Sequence, residues 1–172
     1  MNQTMETILT RRSIRSFQVK PIPEEDLKQI VDAALYAPSA KGLQTWKFTV
    51  IVSREKIQQL AAVMGKVLGN EKYNMYCPEV LIIPSNKKEA PFGRDDNACA
   101  LENIFLAAHS LGIGSVWINQ LHGICDRPEI REALRALGIP EDHVVYGMAA
   151  LGYPDDTPIA PKERIGEVAY VR

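Results

Sequence analysis

The sequence predicts a mixed α and β domain that works as a pair of copies, and three observations lead there. Amphipathic stretches with helical spacing alternate with short β-branched runs along most of the chain. One helical stretch, residues 95–111, is apolar almost all round, and a helix without a polar face needs burial on both sides. A β-prone segment at the end, Val168-Ala169-Tyr170-Val171, has no local strand to join, so the sheet edge of a second copy is its natural partner.

Composition narrows the class. With 172 residues, 46% hydrophobic and 24% charged, the chain can bury one substantial core and is too apolar to stay disordered. A formal net charge of −1 gives no global field for nucleic acid, so any basic site must be local. Three widely spaced cysteines, Cys77, Cys99 and Cys125, fit neither a disulfide framework nor a paired zinc site and point to a reducing compartment. His109, His122 and His143 lack metal-ligand spacing. The first residues carry no charged-then-apolar leader, and no apolar run reaches membrane-spanning length. A cytoplasmic protein without membrane or nucleic-acid partners is expected, one domain over residues 1–172.

The elements follow in order. Met5, Ile8 and Leu9 form a short amphipathic run, and Arg11-Arg12-Ser13-Ile14-Arg15-Ser16 follows at its carboxyl end. The helix dipole there disfavours an anion, so a phosphate would be held by side chains, a task that suits the planar fork of arginine. Read alone, the stretch is first of all a solvated basic helix end. Pro21-Ile22-Pro23-Glu24-Glu25-Asp26 starts a helix through Leu27, Ile30, Val31, Ala34 and Leu35, which Ala37-Pro38 stops. A polar loop, residues 38–45, leads to a buried strand over 46–52. Ser53 caps a helix that ends at Gly69-Asn70. Val80-Leu81-Ile82-Ile83 is a core strand closed by Pro84, and 85–96 reads as a mobile charged loop. After the apolar helix, Gly112-Ile113-Gly114 breaks the chain before a strand over 115–118. Asp126-Arg127-Pro128-Glu129 has capping-box spacing for a helix ending at Gly138, and 144–151 is a single last strand. Trp46 and Trp117 read as core packing beside strands, and Cys99 as inert buried packing. No dinucleotide fingerprint, phosphate-binding loop or serine nucleophile elbow is present.

Four stretches taken together resemble the flavin-dependent nitroreductases. They are Arg11 to Arg15, Ala37-Pro38-Ser39-Ala40 with Gln44-Thr45-Trp46-Lys47-Phe48, the run from Ala107 to Ile118, and Leu151-Gly152-Tyr153-Pro154. Leu137-Gly138-Ile139-Pro140 fits as well, so the resemblance covers nearly the whole chain. It implies an α+β fold, a central antiparallel sheet flanked by helices, in a homodimer that exchanges carboxyl-terminal arms, here residues 152–172. It also implies a tightly bound FMN at each end of the dimer interface, with NAD(P)H as electron donor.

Carried over by residue, the resemblance assigns Arg11 and Ser13, with Arg12 beside them, to the FMN phosphate and ribityl chain. Lys162 and Arg164 would reach the same phosphate from the tail; read alone they are an exposed polar tail. Arg15 would lie at the flavin pyrimidine edge, where a fixed positive charge favours the reduced, anionic ring. Pro38, Ser39 and Ala40 would cover the flavin of the other subunit, largely through backbone. Asn70 stands either as a ring-edge contact or as a left-handed helix-terminal residue beside Gly69. Asn119 and Gln120 would supply the backbone amide facing flavin N5. Three positions depart from the family pattern: Gly42 for asparagine, Thr45 for proline, and Gln120 for glycine. The short segment between Pro84 and Asp95 implies an open site with weak substrate selection.

The implied function is oxidoreduction: electrons pass from NAD(P)H to a nitroaromatic, quinone or similar electron-poor acceptor by a ping-pong flavin cycle. The flavin carries the chemistry, so no catalytic side chain is named. The alternatives are specialised flavin chemistry, dehalogenation or flavin fragmentation, and a flavin-binding module with little turnover.

Overall fold

The computed structural model describes residues 1–160 and 163–172. Asn2 caps α1 (Gln3–Thr10) by accepting the Met5 amide at 2.9 Å. α2 (Glu24–Leu35) follows Pro23 with Glu24, Glu25 and Asp26 at its positive end. α3 (Arg54–Leu68) opens on the Ser53 hydroxyl and closes on Gly69, whose φ of 68° suits a residue without a Cβ. α4 (Gly93–Ser110) and α5 (Pro128–Ala136) complete the helices. The strands are β1 (Trp46–Ile51), β2 (Val80–Lys87), β3 (Gly114–Ile118), β4 (His143–Val144) and β5 (Met148–Gly152). They pair antiparallel in the order β1-β2-β5-β3, with β4 beside the far end of β2.

Both faces of this sheet are covered. Along β2 and β5, Leu81, Ile83, Met148 and Ala150 point into one core with Ile57, Leu60 and Met64 of α3 and Ile130 and Leu134 of α5. Their neighbours Val80, Ile82, Ala149 and Leu151 point into a second core with Ile30 and Ala34 of α2 and Leu101, Ile104, Phe105 and Ala108 of α4. Two-sided burial explains why these strands read as unbroken apolar runs instead of alternating ones.

Several expectations are corrected. Pro84 does not close β2, which runs on to Lys87. Proline is tolerated because β5 pairs with residues up to Ile82 and β4 from Asn86 onward, so Pro84 sits in the gap between them. The last strand is split in two, and Gly147, between the pieces, lies so close under Trp117 that a Cβ would stand 2.6 Å from its ring. The 85–96 loop shrinks to 88–92, between β2 and α4. α4 is not apolar all round: Ala98 and Glu102 are exposed, while Asp96 and Asn97 at its start are buried. Asp126 does not cap α5; its carboxylate bonds Lys88 at 2.7 Å and Arg131 at 2.7 Å, and these two hold its pKa below the usual range. Cys99 is only half-buried, whereas Cys125 is buried; Trp46 and Trp117 are partly exposed, and Trp117 packs against the second core as expected. Among the described residues no strand follows β5, and Ile165, Val168, Tyr170 and Val171 are exposed.

Candidate functional site

The basic stretch after α1 lies along the sheet margin. Ser13 bridges Ser115 of β3 in parallel, the Ile14 amide donates to the Ser115 carbonyl at 2.9 Å, and Phe17 bridges Pro154 antiparallel. Two glycines make this approach feasible: a Cβ on Gly114 would lie 2.9 Å from Ile14, and one on Gly152 would lie 2.9 Å from Phe17. The segment after β5 folds back over it. Gln18 donates to the Tyr153 carbonyl at 2.9 Å, and the Arg12 guanidinium donates to the Ala160 carbonyl at 2.6 Å.

Between the two segments opens a cleft of about 360 Å³, lined by Arg12 to Ser16 on one side and by Pro154, Asp155 and 157–160 on the other. Two guanidiniums and two hydroxyls, Arg12, Arg15, Ser13 and Ser16, thus share one space with a single carboxylate, Asp155. Asp155 accepts the Ser16 hydroxyl and, at 2.9 Å, the Thr157 amide. These bonds, Ser16 first, hold its carboxyl below the usual range. A smaller pocket adjoins the cleft through Arg12, Ile14, Pro154 and Ile159, and at its rim the Thr10 hydroxyl meets His109 Nε2 at 2.8 Å.

The other expected residues lie elsewhere. Arg11 turns away from the cleft: its Nε is 3.5 Å from Glu102, and its guanidinium is 5.9 Å from the Phe105 ring centroid. Pro38, Ser39 and Ala40 precede β1 and do not line the cleft. The Ser39 hydroxyl and the Ala40 amide donate to buried Asp96 of α4 at 2.8 and 2.9 Å. Asn70 accepts the Lys72 amide at 3.2 Å, and the left-handed residue at that helix end is Gly69. Asn119 accepts the Trp117 indole N–H at 3.2 Å, and its own amide donates to the Gln120 side chain at 3.1 Å. The Gln120 amide has no acceptor among the described residues. Arg164 is exposed, and Lys162 lies outside the described residues. The sequence placed Ser16 in the basic stretch without a role of its own, and it did not single out Asp155 or Asp96. Nothing in the sequence separates Asp96 from its exposed neighbour Asp95, or Asp155 from Asp156.

Among the described residues no group of three or more His, Cys, Asp or Glu side chains is placed to hold a metal ion, and no helix is long and apolar enough to cross a membrane.

The model of the Nitroreductase family matches residues 8–153. A protein of Archaeoglobus fulgidus, provisionally named an NADH dehydrogenase/NAD(P)H nitroreductase, is 39% identical over 163 residues, 91% of this chain and 88% of that one. The NADPH-flavin oxidoreductase of Vibrio harveyi is 32% identical over 173 residues, 92% of this chain and 68% of its own. The crystal structure of a nitroreductase with bound FMN from Bacteroides fragilis superposes with a TM-score of 0.91 over 100% of both chains at 38% identity.

Proposed function

The chain belongs to the nitroreductase family, and from that premise we propose that it is an FMN-dependent NAD(P)H oxidoreductase reducing electron-poor acceptors such as nitroaromatics and quinones. The observation that carries the proposal is the cleft in which Arg12, Ser13, Arg15 and Ser16 converge. Its donor set fits a phosphate, for two guanidiniums offer forked N–H groups and the Ser13 hydroxyl offers a further donor, while the Ser16 proton goes to Asp155. Asp155 is the one opposing charge. It bonds Ser16 and Thr157 and pairs with neither arginine among the described residues, so Arg15 and the Arg12 N–H groups not given to Ala160 face the anion.

In this reading Arg12 and Ser13 hold the phosphate and ribityl chain, and Arg15 sets a positive charge by the flavin ring. Lys162 and Arg164 belong to the same phosphate site, together with Arg11 once its contact with Glu102 is released. Asn119 and Gln120 lie at the ring, where the Gln120 amide is the unengaged donor. Asn70 borders the ring edge. When bound, FMN supplies the electron relay, taking electrons from NAD(P)H and passing them to the acceptor in a ping-pong cycle at one shared face.

Two copies complete the site. Met5, Ile8 and Leu9 of α1 are exposed, as are the apolar residues of 163–172. Residues 152–160 pack on their own chain through Phe17, Gln18 and Arg12, so the arm is the end of the chain beyond them. Such surface is buried when a homodimer exchanges that end and places Pro38 to Ala40 of one copy over the flavin of the other. Three free cysteines accord with a reducing, cytoplasmic setting.

Anaerobic mixing of the purified yellow protein with NADH or NADPH tests the proposal. Rapid bleaching, followed by recovery of the yellow colour on adding a quinone or nitroaromatic, is expected. A flavin that neither nicotinamide reduces refutes the reductase reading. A protomer-sized gel-filtration peak that retains flavin refutes the shared site.

A further inference from the structure

The loop before β1 takes its shape from a carboxylate on a different element. Asp96 stands in the first turn of α4 and is only 4% exposed. One of its oxygens accepts the Ser39 hydroxyl at 2.8 Å, and the other accepts the Ala40 amide at 2.9 Å. The same Ser39 oxygen accepts the Gln44 amide at 2.9 Å, so a relay runs from Asp96 through Ser39 to the far side of the loop. The Lys41 ammonium lies 5.7 Å from the ring centroid of Phe92, the residue just before α4. Between these anchors the backbone is left-handed at Lys41, Gly42 and Gln44, with φ of 56°, 64° and 45°. Two of the three are not glycine, and such a conformation persists only where the surroundings over-determine it.

This bonding sorts the loop's backbone groups. The Ala40 amide is engaged by Asp96, and the Ser39 and Ala40 carbonyls accept the Gly42 and Leu43 amides at 2.9 and 3.3 Å. The Ser39 amide and the Pro38 carbonyl have no partner among the described residues.

We propose that Asp96 is a positioning residue for the cofactor: it fixes Ser39 and Ala40 so that the Ser39 amide and the Pro38 carbonyl are presented to the flavin held by the partner copy. The proposal rests on the reading of residues 38–40 as the flavin's cover. An ionised carboxylate suits the task, because charge-assisted bonds are stronger than neutral ones and the amino-terminal turn of α4 favours a negative charge.

Titration of flavin-free protein with FMN, followed by flavin fluorescence, tests it, together with the visible circular dichroism of the bound flavin and the melting temperature. The wild-type protein is expected to quench FMN saturably. Asp96→Ala and Ser39→Ala are expected to weaken FMN about tenfold or more and to alter the dichroism. Asp96→Asn keeps one acceptor and is expected to fall between. If Asp96→Ala does not fold, Ser39→Ala, which removes one hydroxyl, decides. Wild-type FMN affinity and dichroism in the folded variants overturn the role of Asp96, even where melting temperature falls, and leave the flavin reading intact. A wild-type protein that never quenches FMN overturns the flavin reading and this proposal with it.

Discussion

Replacing Gly114 by alanine tests how the cleft is built. A Cβ there would lie 2.9 Å from the Cβ, Cγ1 and Cγ2 atoms of Ile14 at once. Because one of these is the branch point itself, no rotation of the Ile14 side chain relieves the contact; the segment from Ser13 to Phe17 must lift. Overpacking of this kind costs about 1–3 kcal/mol. Loss of the Ile14 amide bond to the Ser115 carbonyl, 2.9 Å in the wild type, adds about 1 kcal/mol. In a chain of this size each kcal/mol moves the melting temperature by about 2–4 °C, so a fall of about 5–15 °C is expected. Lifting the segment also displaces Ser13 and Arg15, so FMN affinity should drop about tenfold. The assay is a thermal melt with and without FMN, beside a fluorescence titration. Gly123→Ala is the control, since a Cβ there meets nothing within 4 Å. A Gly114→Ala protein with wild-type melting and FMN affinity refutes the claim that close seating on β3 shapes the cleft.

Further expectations follow from single groups. Arg15→Ala should lower both FMN affinity and the flavin reduction potential; an unchanged potential in spectroelectrochemical titration removes Arg15 from the ring. The Tyr73 hydroxyl is buried without a partner, and burial, then Tyr76, pushes its pKa up to about 12. Tyr73→Phe should therefore stabilise by about 1 kcal/mol at neutral pH in denaturant melts. The unfolded chain loses the Tyr73 proton first, so wild-type stability should fall between pH 10 and 12 and the variant should escape that part of the loss. Burial lowers the pKa of His143, whose Nδ1 meets the Ser85 hydroxyl at 2.9 Å. The unfolded chain then binds the proton more readily, so stability should fall as pH drops below about 6.5. His143→Gln should flatten that slope, and an unaltered slope assigns it to the carboxylates instead.

What the sequence disclosed depended on the range of the interaction involved. Helix ends written in neighbouring residues, the Ser53 cap and the Gly69 stop, were legible from spacing. The sheet faces were not, because Leu81 and Ile82 are both apolar and only the layer of helices on each side distinguishes them. Pro84 misled because its tolerance depends on where two other strands leave a gap. Asp126 misled because a lysine 38 residues away competes for the carboxylate that local spacing assigns to a cap. At the site, Arg12, Ser13 and Arg15 were legible as a cluster, whereas Asp155 and Asp96 acquire meaning only once segments far apart in the chain meet. The resemblance to a family supplied the topology that periodicity alone leaves open.

On the proposed reading of the cleft, the stretch from Ser13 to Phe17 does two jobs at once, and they are not independent. By bonding Ser115 it occupies the outer margin of β3 at its first residues, backbone that would otherwise be free to recruit a foreign strand. An anion that fastens this stretch from the solvent side therefore also keeps the margin shut. Stripping the ligand loosens both together, so the emptied protein should clump more readily than the loaded one, and added phosphate alone should recover part of the difference.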